Sequence, residues 1–183
     1  MIKNLPLFGA EPNLVTECIK NNRLAQKEMY ERLSSRMFAV CLRYIGDRET
    51  AKDVLQDGFI QLFSKLKQFK GDGSFEGWAR RLFINTALMQ IRKSDILKSA
   101  QDIETPKIDL PHIEGGAIEL LEAKALMELI SQMPIGFRTV FNMYAIEGFT
   151  HQEIAKALDI TEGGSRSQLS RARIWLQERL SKR

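Results

Sequence analysis

Between Ala51 and Leu66 the apolar side chains recur at three- and four-residue steps: Ala51, Val54, Leu55, Phe59, Leu62, Phe63 and Leu66. That spacing follows the 3.6-residue period of a helix and lays one apolar stripe over about five turns. Such a stripe must be covered by other elements. The same period runs upstream through Met37, Phe38, Val40, Cys41, Tyr44 and Ile45, and downstream through Trp78, Leu82, Phe83, Ile84, Ala87, Leu88 and Ile91. Strand-like alternation is nearly absent, so the chain is expected to be all-α.

Turn-forming residues divide the helical runs. Asp47 is placed to cap a helix starting at Arg48. The "GDGS" stretch at 71–74 breaks the chain before a helix over about 75–93. Residues 95–116 hold two prolines, end in two glycines and show little periodicity. They read as a flexible linker. A second unit opens near Ala117 with the stripe Leu120, Leu121, Ala125, Leu126, Leu129 and Ile130, which Pro134 stops. A further helix, about 135–147, ends at Gly148. Two small helical domains are expected, 1–94 and 117–183. The second is small for a core, so its stability rests on few contacts or on a partner.

Composition narrows the functional classes. With 44% hydrophobic and 27% charged residues, the chain has an ordinary water-soluble balance. No apolar run approaches the roughly 18 residues of a membrane span, and the first residues lack the apolar core of a signal peptide. A cytoplasmic location is the expectation. Cys18 and Cys41 lie in helical segments without a CxxC spacing, as packed, reduced thiols do. The histidines are His112 and His151, too few for a His/Cys metal cluster. No nucleophile–histidine pairing, phosphate loop or metal-ligand spacing is present, so neither enzyme activity nor a cofactor is expected.

The formal net charge is +4, and its distribution matters more than its size. Residues 65–98 hold eight basic and three acidic side chains, and 161–183 hold six basic and two acidic. Between them, 99–136 hold two basic and seven acidic. Two separated basic blocks suit a protein that touches a phosphate backbone at two places, although solvated helix faces give the same count.

The C-terminal block has its own signature. Thr150 can cap a helix from His151 to about Leu158, with Glu153 at the capping-box position. Asp159 can take the left-handed conformation of a tight turn. Ile160 is expected to plug the angle between two helices, and Thr161 to cap the second. In that second helix Leu169, Ala172, Leu176 and Leu180 share one face. Ser167, Ser170 and Arg171 point away from it, with Arg166 and Arg173 on its flanks. An outward Ser/Arg half-helix suits the major groove, where Arg can donate two hydrogen bonds to guanine. Gly163 and Gly164 would leave the first-turn N–H groups open to a phosphate. The arrangement is a helix-turn-helix, or a plain helical hairpin with a charged face.

The stretch 129–173 resembles the fourth region of the extracytoplasmic-function sigma factors, promoter-recognition subunits of bacterial RNA polymerase. The matching residues are Pro134, Phe137 and Arg138, "EGF" at 147–149, "EIA" at 153–155, "EG" at 162–163 and "SRSQLSRAR" at 165–173. The stretch 51–93 resembles the family's second region through "DVLQDGF" at 53–59 and the Trp, Arg, Asn and Ala positions that follow. Two departures stand out: Gly164 replaces a usual Thr, which should loosen the first turn of the recognition helix, and Asp57 replaces a usual Glu.

The resemblance implies a factor that binds core RNA polymerase and promoter DNA and is commonly held by an anti-sigma factor. It assigns Asp53, Gln56, Asp57 and Ile60, on the face opposite the core stripe, to polymerase. It assigns the loop and helix residues Lys70, Asp72, Gly73, Ser74, Phe75, Arg80, Arg81 and Asn85 to the opened downstream promoter element. Because Phe69, Phe75 and Trp78 read as core on sequence alone, Asp72, Gly73 and Ser74 are the better candidates for a flipped base. Arg166, Ser167, Ser170, Arg171 and Arg173 would read the upstream element as duplex. The linker acids Asp102, Glu104 and Asp109 would mimic nucleic acid inside the polymerase. An ordinary helix-turn-helix repressor leaves the second-region segment unexplained. A protein-interaction adaptor would give Arg166 and Arg171 no role in transcription.

Overall fold

The computed structural model describes residues 12–93 and 125–181, and every regular element among them is helical. The linker 95–116, the Leu120 and Leu121 part of the second stripe and His112 lie outside these residues. The N-terminal unit contains α1 (Pro12–Ile19), α2 (Arg23–Ile45), α3 (Arg48–Lys65), a 3-10 turn (Leu66–Gln68) and α4 (Phe75–Lys93). The C-terminal unit contains α5 (125–131), α6 (Ile135–Phe141), a π-helical turn (Asn142–Ile146), α7 (His151–Leu158) and α8 (Glu162–Leu180).

Local chemistry sets the helix ends. Asn22 accepts from the Leu24 and Ala25 N–H groups and starts α2. Gly46 ends it in the left-handed region at φ 85°, where a Cβ is disfavoured. Asp47 accepts the Thr50 N–H at 2.8 Å and caps α3. Thr150 and Glu153 form the full capping box, Asp159 sits at φ 57°, and Thr161 accepts the Gly164 N–H at 2.9 Å.

Helices α2, α3 and α4 pack mutually around Met29, Leu33, Met37, Tyr44, Leu62, Phe83 and Ile84, each at most 1% exposed. Gly58 is where α3 meets α4, against the Phe83 ring, and Phe59 stands edge-on to that ring at 5.1 Å. Cys18 and Cys41 are free and buried. Burial pushes the Cys41 thiol up to about 12, which removes it from thiolate chemistry at neutral pH.

Three local expectations are corrected. The helix over 135–147 is α-helical only to Phe141 and then widens into a π-turn, with the Glu147 N–H bonding the Asn142 carbonyl. Such turns accommodate an extra residue and recur at functional places; this one carries Asn142 and leads into Glu147, both of which reach the N-terminal unit. Ile160 is 39% exposed, so it is not a buried plug in the angle between the two helices. Leu180 is 51% exposed, because the buried stripe of α8 ends at Leu176, against Leu129, Ile130 and Met133.

The small C-terminal unit finds its partner within the chain. One apolar cluster runs from Phe83, Leu88 and Ile91 into Ile135, Val140, Met143, Ile154, Leu158 and Leu169.

Candidate nucleic-acid interface

In α8, Leu169 and Ala172 face inward, and this orients the opposite face. Arg166, Ser167, Ser170, Arg171 and Arg173 are all exposed along that side. Arg166 is partly engaged, bonding Glu162 one turn back at 3.1 Å. The Gly164 N–H belongs to the Thr161 cap, so it is not open to a phosphate as the sequence suggested. A Cβ at Gly164 would lie 3.2 Å from that Thr161 oxygen, tighter than an ordinary contact.

A feature not anticipated from sequence fixes α8 against α7. The His151 Nδ1 lies 2.9 Å from the hydroxyl of Ser165, itself fully buried. Tyr144 stacks on the His151 ring at 4.5 Å and 22°. This brace sets the angle at which the Arg/Ser face is presented. His151 looked isolated in sequence because its partners lie seven residues before it and fourteen after.

The loop before α4 is held by conformation rather than crowding. Gly71 and Gly73 have φ of 81° and 96°, with open space where a Cβ would stand. Lys70, Asp72, Gly73 and Ser74 are exposed. Ser74 accepts the Gly77 N–H at 3.3 Å at the start of α4. Phe69, Phe75 and Trp78 form one aromatic cluster with centroids 5.2–5.8 Å apart. Phe75 is 2% exposed, so its ring offers no face to a base, and the sequence assignment of Phe75 is corrected. On α4, Arg81 and Asn85 are exposed.

Arg80 is different. It donates to Glu147 of the C-terminal unit through Nε at 2.6 Å and an Nη at 3.0 Å. Arg43 bonds the same carboxylate. The Glu147 bond holds the Arg80 guanidinium above its usual range, whereas burial lowers that of Arg43 against the pull of Glu147. Beside this cluster Arg138, 3% exposed, donates to the carbonyls of Ser131 at 2.6 Å and Ile45 at 3.0 Å. Burial lowers its guanidinium to about 10.

On α3, Asp53, Gln56, Asp57 and Ile60 fall at the spacing of one helix face and are all exposed, Ile60 by 65%. An exposed Ile about one turn beyond two acids suits a partner that is basic with an apolar spot beside its charge. Among the described residues no His/Cys/Asp/Glu group could hold a metal ion, and no helix is long and apolar enough to cross a membrane.

The family model of sigma-70 region 2 matches residues 29–95, and that of sigma-70 region 4 matches residues 123–176. The RNA polymerase sigma-H factor of Pseudomonas aeruginosa is 28% identical over 173 residues, 89% of this chain and 90% of that protein. The ECF RNA polymerase sigma-E factor of Haemophilus influenzae is 25% identical over 181 residues, 91% of this chain and 93% of that one. Among solved structures, the sigma factor RpoE of Bartonella quintana, in complex with the anti-sigma factor NepR, shares the fold with a TM-score of 0.55. It is 21% identical, over 85% of this chain and 96% of that one. With both sigma-70 regions present in order and together spanning more than half of its length, the chain belongs to the extracytoplasmic-function sigma factors of bacterial RNA polymerase.

Proposed function

We propose that this sigma factor divides promoter recognition between its two units while α3 ties it to core polymerase. The observation that carries this reading is the outward placement of three chemically distinct faces by one helical core. These are the acidic–apolar face of α3, the loop and Arg81/Asn85 face before and along α4, and the Ser/Arg face of α8. Arg166, Ser167, Ser170, Arg171 and Arg173 read the upstream element as duplex in the major groove. Lys70, Asp72, Gly73, Ser74, Arg80, Arg81 and Asn85 capture the opened downstream element. There the glycine conformations allow close backbone approach and the basic side chains hold phosphates. Asp53, Gln56, Asp57 and Ile60 dock on a basic surface of core polymerase.

In this reading the domains run 1–94 and 117–183, the segment 95–116 connects them, and the chain works in the cytoplasm. The nucleotidyl transfer belongs to polymerase, and this chain supplies recognition without a cofactor. An anti-sigma factor is its proposed regulator, as NepR is the partner in the Bartonella structure.

The test is transcription in vitro from promoters of the source genome, with purified core polymerase and the full chain. Specific transcripts that need both proteins are expected. Tight duplex binding without polymerase and no transcript from any promoter would instead point to a repressor.

A further inference from the structure

Three consecutive elements of the C-terminal unit meet at one imidazole. His151 is the first residue of α7, the helix that Thr150 caps. Its Nδ1 lies 2.9 Å from the Ser165 hydroxyl near the start of α8, and its ring stacks on Tyr144 of the π-turn. A hydroxyl both donates and accepts, so the pair forms with either tautomer of the imidazole. A ring stacked on one face and bonded at Nδ1 has little freedom to turn. Ser165 has no exposed surface, so its hydroxyl serves the interior of the unit and cannot reach DNA.

The place of this contact on α8 gives it leverage. The helix opens with Glu162, Gly163 and Gly164, and two successive glycines are weak helix formers. The Thr161 oxygen accepts the Gly164 N–H at 2.9 Å, which ties the first turn to its own cap but not to α7. The His151–Ser165 bond supplies the tie to α7, at the residue next to Arg166 and Ser167. Ser170, Arg171 and Arg173 follow in the next turns. A bidentate Arg–guanine pair needs its groups held to about 0.5 Å and 10–20°. Attraction to the phosphate backbone is sequence-independent and tolerates a small tilt.

We propose that His151 is a positioning residue for promoter reading: by bonding Ser165 and stacking on Tyr144 it fixes the tilt of α8 against α7, and so sets discrimination between upstream sequences rather than attraction to DNA as such. The inference rests on the sigma-factor reading above and deepens its upstream-element site. Ser165→Ala exposes the distinction. Alanine is the better helix former and is at home in a buried place, so a Ser165 that only filled space would be exchanged without loss of discrimination. The exchange also leaves the imidazole present, so a loss it causes is not the loss of a His151 side chain that touches DNA.

The test uses the full chain assembled with core polymerase, as wild type, Ser165→Ala, His151→Phe and the double variant Ser165→Ala/His151→Phe. His151→Phe keeps a ring for Tyr144 and removes the nitrogen. Selection by the wild type from duplexes randomised across the upstream element defines its preferred duplex. Competition binding then gives the affinity of each protein for that duplex and for a scrambled one, and hydrogen exchange over residues 161–170 of the free chain reports on the start of α8. The preferred-to-scrambled ratio is expected to fall by at least about fivefold in each single variant, the lower end of what one bidentate base contact contributes. Affinity for the scrambled duplex should stay within about twofold of wild type, since phosphate contacts are kept. The double variant should fall no further than the singles, because both remove the same bond, and exchange over 161–170 should quicken in all three. An unchanged ratio in either single variant, an equal loss on both duplexes, or additive losses in the double variant would each overturn the positioning role. A wild type that shows no upstream preference and yields no transcript would overturn the sigma reading instead, and unchanged exchange would then still refute the brace.

Discussion

The Gly58→Ala substitution separates two opposing effects of one methyl group. In an exposed helix the exchange stabilises by about 1 kcal/mol, because glycine is the weaker helix former. At Gly58, however, the new Cβ would lie well inside 3.0 Å of two Phe83 ring carbons. Phe83 is fully buried and packed edge-on to Phe59, so the ring has nowhere to go and α3 must move off α4. Overpacking of this kind costs about 1–3 kcal/mol, occasionally more. With the propensity gain set against it, the net is a loss of up to about 2 kcal/mol. Gly77→Ala is the matched control: it is also helical, but its Cβ would meet only Ser74 at 3.8 Å, an ordinary contact. Its expected effect is stabilising, by at most about 1 kcal/mol. Urea unfolding of the three proteins, with m-values compared, measures both shifts. The double variant Gly58→Ala/Phe83→Leu should recover part of the loss as a non-additive term. A Gly58→Ala protein stabilised as much as Gly77→Ala would refute the close-packing argument.

Arg171→Ala should cost about 1–3 kcal/mol of upstream-element binding at one base position, as a bidentate guanine contact would; equal loss on all sequences in a binding-site selection would reduce Arg171 to a phosphate contact. Asp53→Asn with Asp57→Asn should weaken assembly with core polymerase in a salt-dependent manner while leaving thermal unfolding within about 0.5 kcal/mol of wild type; unchanged affinity in a pull-down titration would remove α3 from the interface. The capping hydrogen bonds of Thr150 hold Glu153 below its usual 4.5, and those of Thr50 hold Asp47 below 3.8. A depressed carboxylate contributes stability that is present above its unfolded value and lost as pH falls through its folded value. Stability should therefore decline below about pH 4.5, and Glu153→Gln should flatten part of that decline; an unaltered slope in pH-dependent urea melts would refute the capping-box contribution.

Much of this protein was legible in its sequence because the signals are local. The 3.6-residue stripes, Asp47, the Thr150–Glu153 pair, Asp159 and Thr161 act within one or two turns, so their roles follow from spacing. The exposure of Asp53, Gln56, Asp57 and Ile60 follows likewise from the position of the core stripe on the same helix, and that of the α8 face from Leu169 and Ala172. What the sequence could not decide depends on residues far apart in the chain. His151 and Ser165 come together only when α7 and α8 fold against each other. Glu147 and Arg80 stand 67 residues apart, and Arg138 and Ile45 stand 93 apart. Helix periodicity decides which side of a helix faces a core, but it carries no information about which core a second unit shares. That choice is made by the shape and charge of the assembled surfaces, and the tertiary structure alone places Arg80 under Glu147.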